Sequence, residues 1–127
     1  MKRADAPRPE EYRRAAELRA ELRRFLRLSE EVARRNGLTP QRYALLLMIK
    51  GAPDGAERST VTELSHRLQL AQSTVTELVR RAEDAGLLVR SPSPDDGRVV
   101  HLSLAAEGER RRLSQLLAGT RGRARRP

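Results

Sequence analysis

Residues 73–104, STVTELVRRAEDAGLLVRSPSPDDGRVVHLSL, constrain the chain most, because the hydrophobic period changes partway along them. From Gln72 to about Ala85, Val75, Leu78, Val79 and Ala82 recur at helical spacing. Ser73, Thr74, Thr76, Glu77, Arg80, Arg81 and Asp84 occupy the other face. Past Gly86, Leu87–Arg90 and Arg98–Leu104 alternate as half-buried strands do, with Val99 or Val100, Leu102 and Leu104 as inward teeth. The loop between them is rich in Pro, Ser, Asp and Gly, is too long for a tight hairpin, and ends on Arg98. The segment therefore predicts a helix that opens on small hydroxylated residues, followed by a basic-tipped hairpin.

The rest of the chain supplies the frame. Residues 1–9 carry two prolines and mixed charge and read as a loose arm. A long helix is expected over residues 10–36, with Tyr12, Ala15, Leu18, Leu22, Phe25 and Val32 at helical spacing and Asn36-Gly37 as its stop. Leu26 and Leu28 widen that stripe, as a helix packing on a second subunit would require; packing on its own domain is the alternative. Thr39-Pro40 opens a helix to about Lys50 that is apolar almost all round and is the expected buried centre. Gly51–Ser59 reads as a loop. Thr60 and Glu63 have capping-box spacing and open a helix to about Leu68, with Leu64 and Leu68 inward. Only Gln69-Leu70-Ala71 separates it from the next helix, the arrangement of a helix-turn-helix whose second helix enters the major groove. Residues 105–119 return to helical periodicity, and residues 120–127 form a basic tail expected to be disordered. The expected fold is mainly α with a small β-hairpin: a winged helix-turn-helix over residues 37–104, flanked by N- and C-terminal dimerisation helices.

At 127 residues the chain suits one domain with a real core. Its formal charge is +9, with 24 Arg against 2 Lys, and the forked guanidinium fits phosphate and guanine. Charge alone predicts binding to polyanions without sequence preference. The absence of cysteine removes disulfides, thiolate metal sites and thiol nucleophiles. No apolar run approaches a membrane span of roughly 20 residues, and no secretory signal opens the chain, so a soluble, cytoplasmic protein is expected without a membrane partner.

The helix STVTELVRR, and PDDGR followed by VVHLSL, resemble the recognition helix and wing of the MarR family of winged helix-turn-helix transcription regulators. The resemblance spans roughly Leu38 to Gly108. It implies a homodimer that binds double-stranded DNA at a pseudo-palindromic site, most often as a repressor. Carried onto this chain, it places Gln72, Ser73, Thr74, Thr76 and Arg80 toward the major groove, with Arg81 near the backbone or steadying the wing. Arg98 would reach the minor groove. Asp96 would hold Arg98 or a recognition-helix arginine by a charge-assisted hydrogen bond. For Ser73 and Thr74 the alternative is local, the capping of free helix amides. Glu77 stands where the family often has a base, Arg80 where it often has an acid, and Ala71 at the expected cap. The family also continues further past the wing, which leaves dimer geometry open. Family members bind phenolic or other lipophilic effectors, so the resemblance allows a small-molecule effector, with no pocket residues assigned.

His66 and His101 lack partners at metal-ligand spacing, and no catalytic constellation stands out, so no metal, cofactor or enzymatic activity is expected. His66 is expected on a helix near DNA and His101 on the outer face of a wing strand. Asp95 and Asp96 read as turn residues. Two rivals compete with sequence-specific reading: an architectural binder whose arginines touch only backbone, and a winged-helix module that binds protein instead.

Overall fold

The computed structural model describes residues 5–105 together with Gln115 and Ala118, both helical. The expectations for residues 1–4, for the rest of the 105–119 helix and for the 120–127 tail lie outside the described residues. Helix α1 covers Pro9–Arg35, α2 Pro40–Lys50, α3 Val61–Leu68 and α4 Gln72–Asp84. Three strands accompany them, β1 (Arg58–Ser59), β2 (Leu88–Pro92) and β3 (Val100–Leu104), in an antiparallel sheet of order β1-β3-β2.

Helix α2 is the centre of the molecule. Thr39 Oγ1 accepts from the Arg42 N–H at 3.1 Å, and Pro40 costs nothing at the first helical position. Tyr43, Leu45, Leu46 and Ile49 are buried, and they meet Leu64 of α3, Val75 and Val79 of α4 and Leu102 of β3. Each fully buried aliphatic side chain contributes roughly 1.5–3 kcal/mol. The open carbonyls at the end of α2 are met by Arg67 of α3, which donates to Met48 O at 2.8 Å and Gly51 O at 3.3 Å. Arg67 thereby joins the first helix of the pair to the core helix.

The loop expected over Gly51–Ser59 contains a strand. Arg58 lies opposite Ser103 and Ser59 opposite Leu102, and this pairing buries Ser59. Two polar residues carry no readable period, so the strand exists because β3 offers a second edge. The hairpin begins at Leu88 rather than Leu87 and runs to Pro92, which faces Val100. Leu102 and Leu104 point inward as expected, while Val99 and Val100 are each 37% exposed. Val100 shares the inward parity, but the hairpin has left the body of the domain there. His101, on the opposite face of β3 from Leu102, is only half exposed, and its Nδ1 is buried without a hydrogen-bond partner among the described residues.

Among the described residues, helix α1 joins this core near its end, through Val32 and Ala33. Tyr12, Leu18, Leu22, Phe25 and Leu26 are exposed along the rest of a helix about 40 Å long. No described helix is long and apolar enough to cross a membrane.

Candidate nucleic-acid interface

The orientation of α4 is set by backbone hydrogen bonds at both ends. Gln69 takes the left-handed conformation (φ 57°), which lets the Leu70 N–H reach back to Ser65 O at 3.1 Å and close α3. A non-glycine residue costs about 1–2 kcal/mol there. Its own side chain helps, Nε2 donating to His66 O at 2.6 Å. At the far end Gly86 (φ 77°) serves the same purpose, with the Leu87 N–H donating to Ala82 O at 2.9 Å. With Val75, Val79 and Ala82 buried, the polar face of α4 has to look outward.

All eight residues expected at the interface are exposed: Gln72, Ser73, Thr74, Thr76, Arg80, Arg81, Asp96 and Arg98. Their engagements differ. Gln72 Nε2 donates to Thr62 Oγ1 on α3 at 3.2 Å. Ala71, the N-cap, offers no side-chain acceptor. Ser73, Thr74 and Thr76 form no side-chain hydrogen bond among the described residues, so neither serine nor threonine caps the helix here. Arg80 donates to both oxygens of Glu77, from Nε at 3.0 Å and Nη2 at 2.5 Å, and from Nη1 to Asp84 at 3.2 Å. Arg81 Nε donates to the same Glu77 at 3.1 Å. The Arg80 hydrogen bond holds the Glu77 carboxyl below the usual carboxylate range, and Glu77 in turn raises Arg80.

At the wing, Asp96 is engaged otherwise than by an ion pair with an arginine. Its Oδ1 accepts from the Arg98 backbone N–H at 3.0 Å, and the Val99 N–H donates to Asp96 O at 3.0 Å. Asp96 therefore shapes the turn, as short acidic side chains do. The Arg98 guanidinium forms no ion pair among the described residues. Neither wing residue bonds to α4. The tie between wing and helix is Arg90 of β2, whose Nε donates to Glu83 at 2.6 Å. Face assignment gave no role to Glu83 or Thr62 and left Glu77 only as a departure from the family's charge pattern; its i,i+3 and i,i+4 spacing with Arg80 and Arg81 was the signal for their pairing.

The charge distribution sharpens this picture. Residues 37–104 hold eight basic and eight acidic residues, so the whole +9 lies in residues 1–36 and 105–127.

Residues 36–99 match the MarR family. The chain belongs to the MarR family. Among its relatives, the HTH-type transcriptional repressor MdtR of Bacillus subtilis is 32% identical over 89 residues, which is 70% of this chain and 54% of MdtR. The chain spans about half the length of the relatives it matches in this way. A MarR family protein from Bacillus stearothermophilus superposes with a TM-score of 0.76 at 24% identity, covering 93% of this chain and 79% of that one. A mutant of MarR from E. coli, solved with operator DNA, gives 0.63 at 22% identity, covering 80% and 69%. These structures share the fold, and the helix-turn-helix and the wing as far as Val99 lie within residues 36–99 of this MarR family chain.

Proposed function

We propose that the chain is a homodimeric, cytoplasmic transcriptional repressor that reads a specific double-stranded DNA site, and not an enzyme. One observation carries DNA reading: among the described residues, the outward face of α4 presents Ser73, Thr74 and Thr76 without side-chain hydrogen-bond partners, and the wing presents Arg98 without an ion pair. Such groups meet base edges and phosphates in the major groove, while an arginine suits a narrow minor groove. Membership of the MarR family, and the operator-bound relative from E. coli, support the same reading. Repression is inferred from MdtR.

The homodimer is supported by the apolar stripe of α1, whose five large side chains a second copy would cover. Relief by a small-molecule effector is supported by membership of the MarR family alone, and no pocket residues are assigned to it. The tip of the wing would be the loop of residues 93–99 between β2 and β3, with Arg98 in the minor groove.

Selection of duplexes from a random library, followed by competition against a scrambled duplex at fixed salt, tests the reading. Preference by at least 10³ is expected of a specific regulator. Equal affinity for both duplexes would favour the architectural rival. Arg98→Ala should weaken the selected duplex by about 1–3 kcal/mol, and unchanged binding would favour the protein-interaction rival.

A further inference from the structure

The recognition helix carries more acids than bases in a strongly basic chain. Helix α4 carries three acids, Glu77, Glu83 and Asp84, against two bases, Arg80 and Arg81. Both bases are engaged within the helix, and Glu77 touches each of them. Arg80 has three of its five N–H donors committed. The pair it gives to Glu77, Nε and Nη2, is a parallel fork of the kind used on the O6 and N7 of guanine.

We propose that Glu77 is the specificity-determining residue of this helix: it holds Arg80 and Arg81 off the phosphates and yields them to base edges. The proposal rests on the DNA reading given above and deepens it. A phosphate offers each arginine little that the Glu77 carboxylate does not already supply, so exchanging one for the other gains little. A guanine edge presented at the right place and angle accepts the fork and completes a set of contacts along α4. Glu77 therefore weakens sequence-independent binding more than specific binding, a penalty directed at wrong partners. Exposure keeps the pairs exchangeable, since solvent-screened ion pairs are weak. Arg98, with no such partner among the described residues, stays available to the duplex whatever its sequence.

The test is Glu77→Gln in the full chain, titrated with the library-selected duplex and with a scrambled duplex over a series of salt concentrations. Counterion release makes log K fall with log salt by about 0.9 per phosphate neutralised. Freeing both arginines should steepen the scrambled-duplex slope by about one to two and raise its affinity at low salt on the order of tenfold. Affinity for the selected duplex should rise less, so the preference narrows. Glu17→Gln on α1 makes the same change in net charge; an equal shift from it would overturn the proposal, because the effect would then be generic. Arg80→Gln with Arg81→Gln, added to Glu77→Gln, should restore the wild-type slope, and a slope that stays steep would also overturn it. Wild type that binds neither duplex refutes the DNA reading itself. Wild type that discriminates, with Glu77→Gln indistinguishable from it, refutes only the role of Glu77.

Discussion

Helices α3 and α4 begin on similar backbones, but only one is capped, and this yields a stability prediction with a defined sign. Thr60 (φ −90°, ψ 164°) and Ala71 (φ −63°, ψ 147°) both occupy the extended N-cap region. Thr60 Oγ1 accepts from the Glu63 N–H at 3.2 Å, and Glu63 returns the contact by accepting from the Thr60 N–H at 3.0 Å. At α4 the methyl of Ala71 leaves the corresponding N–H, that of Thr74, without a side-chain acceptor. Ala71→Ser places a hydroxyl where Thr60 has one. Ala71 is exposed, so the added oxygen meets no packed neighbour. A side-chain cap is worth about 1 kcal/mol, within a range of roughly 0.5–2. Urea unfolding followed by far-ultraviolet circular dichroism should show a higher midpoint at unchanged slope, measured at one protein concentration because the proposed homodimer would make apparent stability concentration-dependent. Thr60→Ala should lower stability by a similar amount. If Thr60→Ala destabilises and Ala71→Ser does nothing, the N-cap geometry assigned to Ala71 is wrong.

Three further outcomes follow from the same structure. Leu22→Glu with Leu26→Glu puts charge into the exposed stripe of α1 and should halve the sedimenting mass; a wild-type chain already monomeric at micromolar concentration would reject the homodimer. Ile49→Ala empties a fully buried site at the centre of α2 and should cost about 2–5 kcal/mol in urea unfolding, so a near-neutral result would reject α2 as the hub. Glu77 has a lowered carboxyl pKa, so its pairing is complete above the usual carboxylate range and is lost only as pH falls through the lowered value. The difference in salt slope between wild type and Glu77→Gln should therefore be the same at about pH 8 and about pH 6.

The helices were legible because their signals are local. Thr39-Pro40 and Gly51 bracket α2, the Thr60–Glu63 box opens α3, and Gly86 closes α4, each by chemistry within a few residues of the boundary. Strand β1 was not legible, since Arg58 and Ser59 become a strand only through an edge more than 40 residues later in the chain. The stripe on α1 was visible as a pattern, but periodicity does not say what covers it. At the interface, spacing sorted the outward residues of α4 correctly by face, yet it treated each as an independent hand toward DNA. Arg80 and Arg81 share one carboxylate, and Asp96 spends its oxygen on a backbone amide; such pairings depend on rotamers that face assignment does not supply.

That distinction changes what the net charge means. A +9 chain invites the view that its reading surface is basic, but residues 37–104 balance eight bases with eight acids. The excess belongs to the flanks, and charge outside the reading surface acts chiefly on the rate of encounter. On the proposed reading, base preference and long-range attraction are separable properties of different residues. Arg13→Gln, Arg14→Gln and Arg24→Gln together remove three exposed charges from α1 without touching α4 or the wing. Stopped-flow association with duplex at low salt should slow, while the ratio of selected to scrambled affinity stays as it was. If that ratio fell along with the rate, the α1 arginines would be part of the reading surface, and the neutral domain would not be reading DNA by itself.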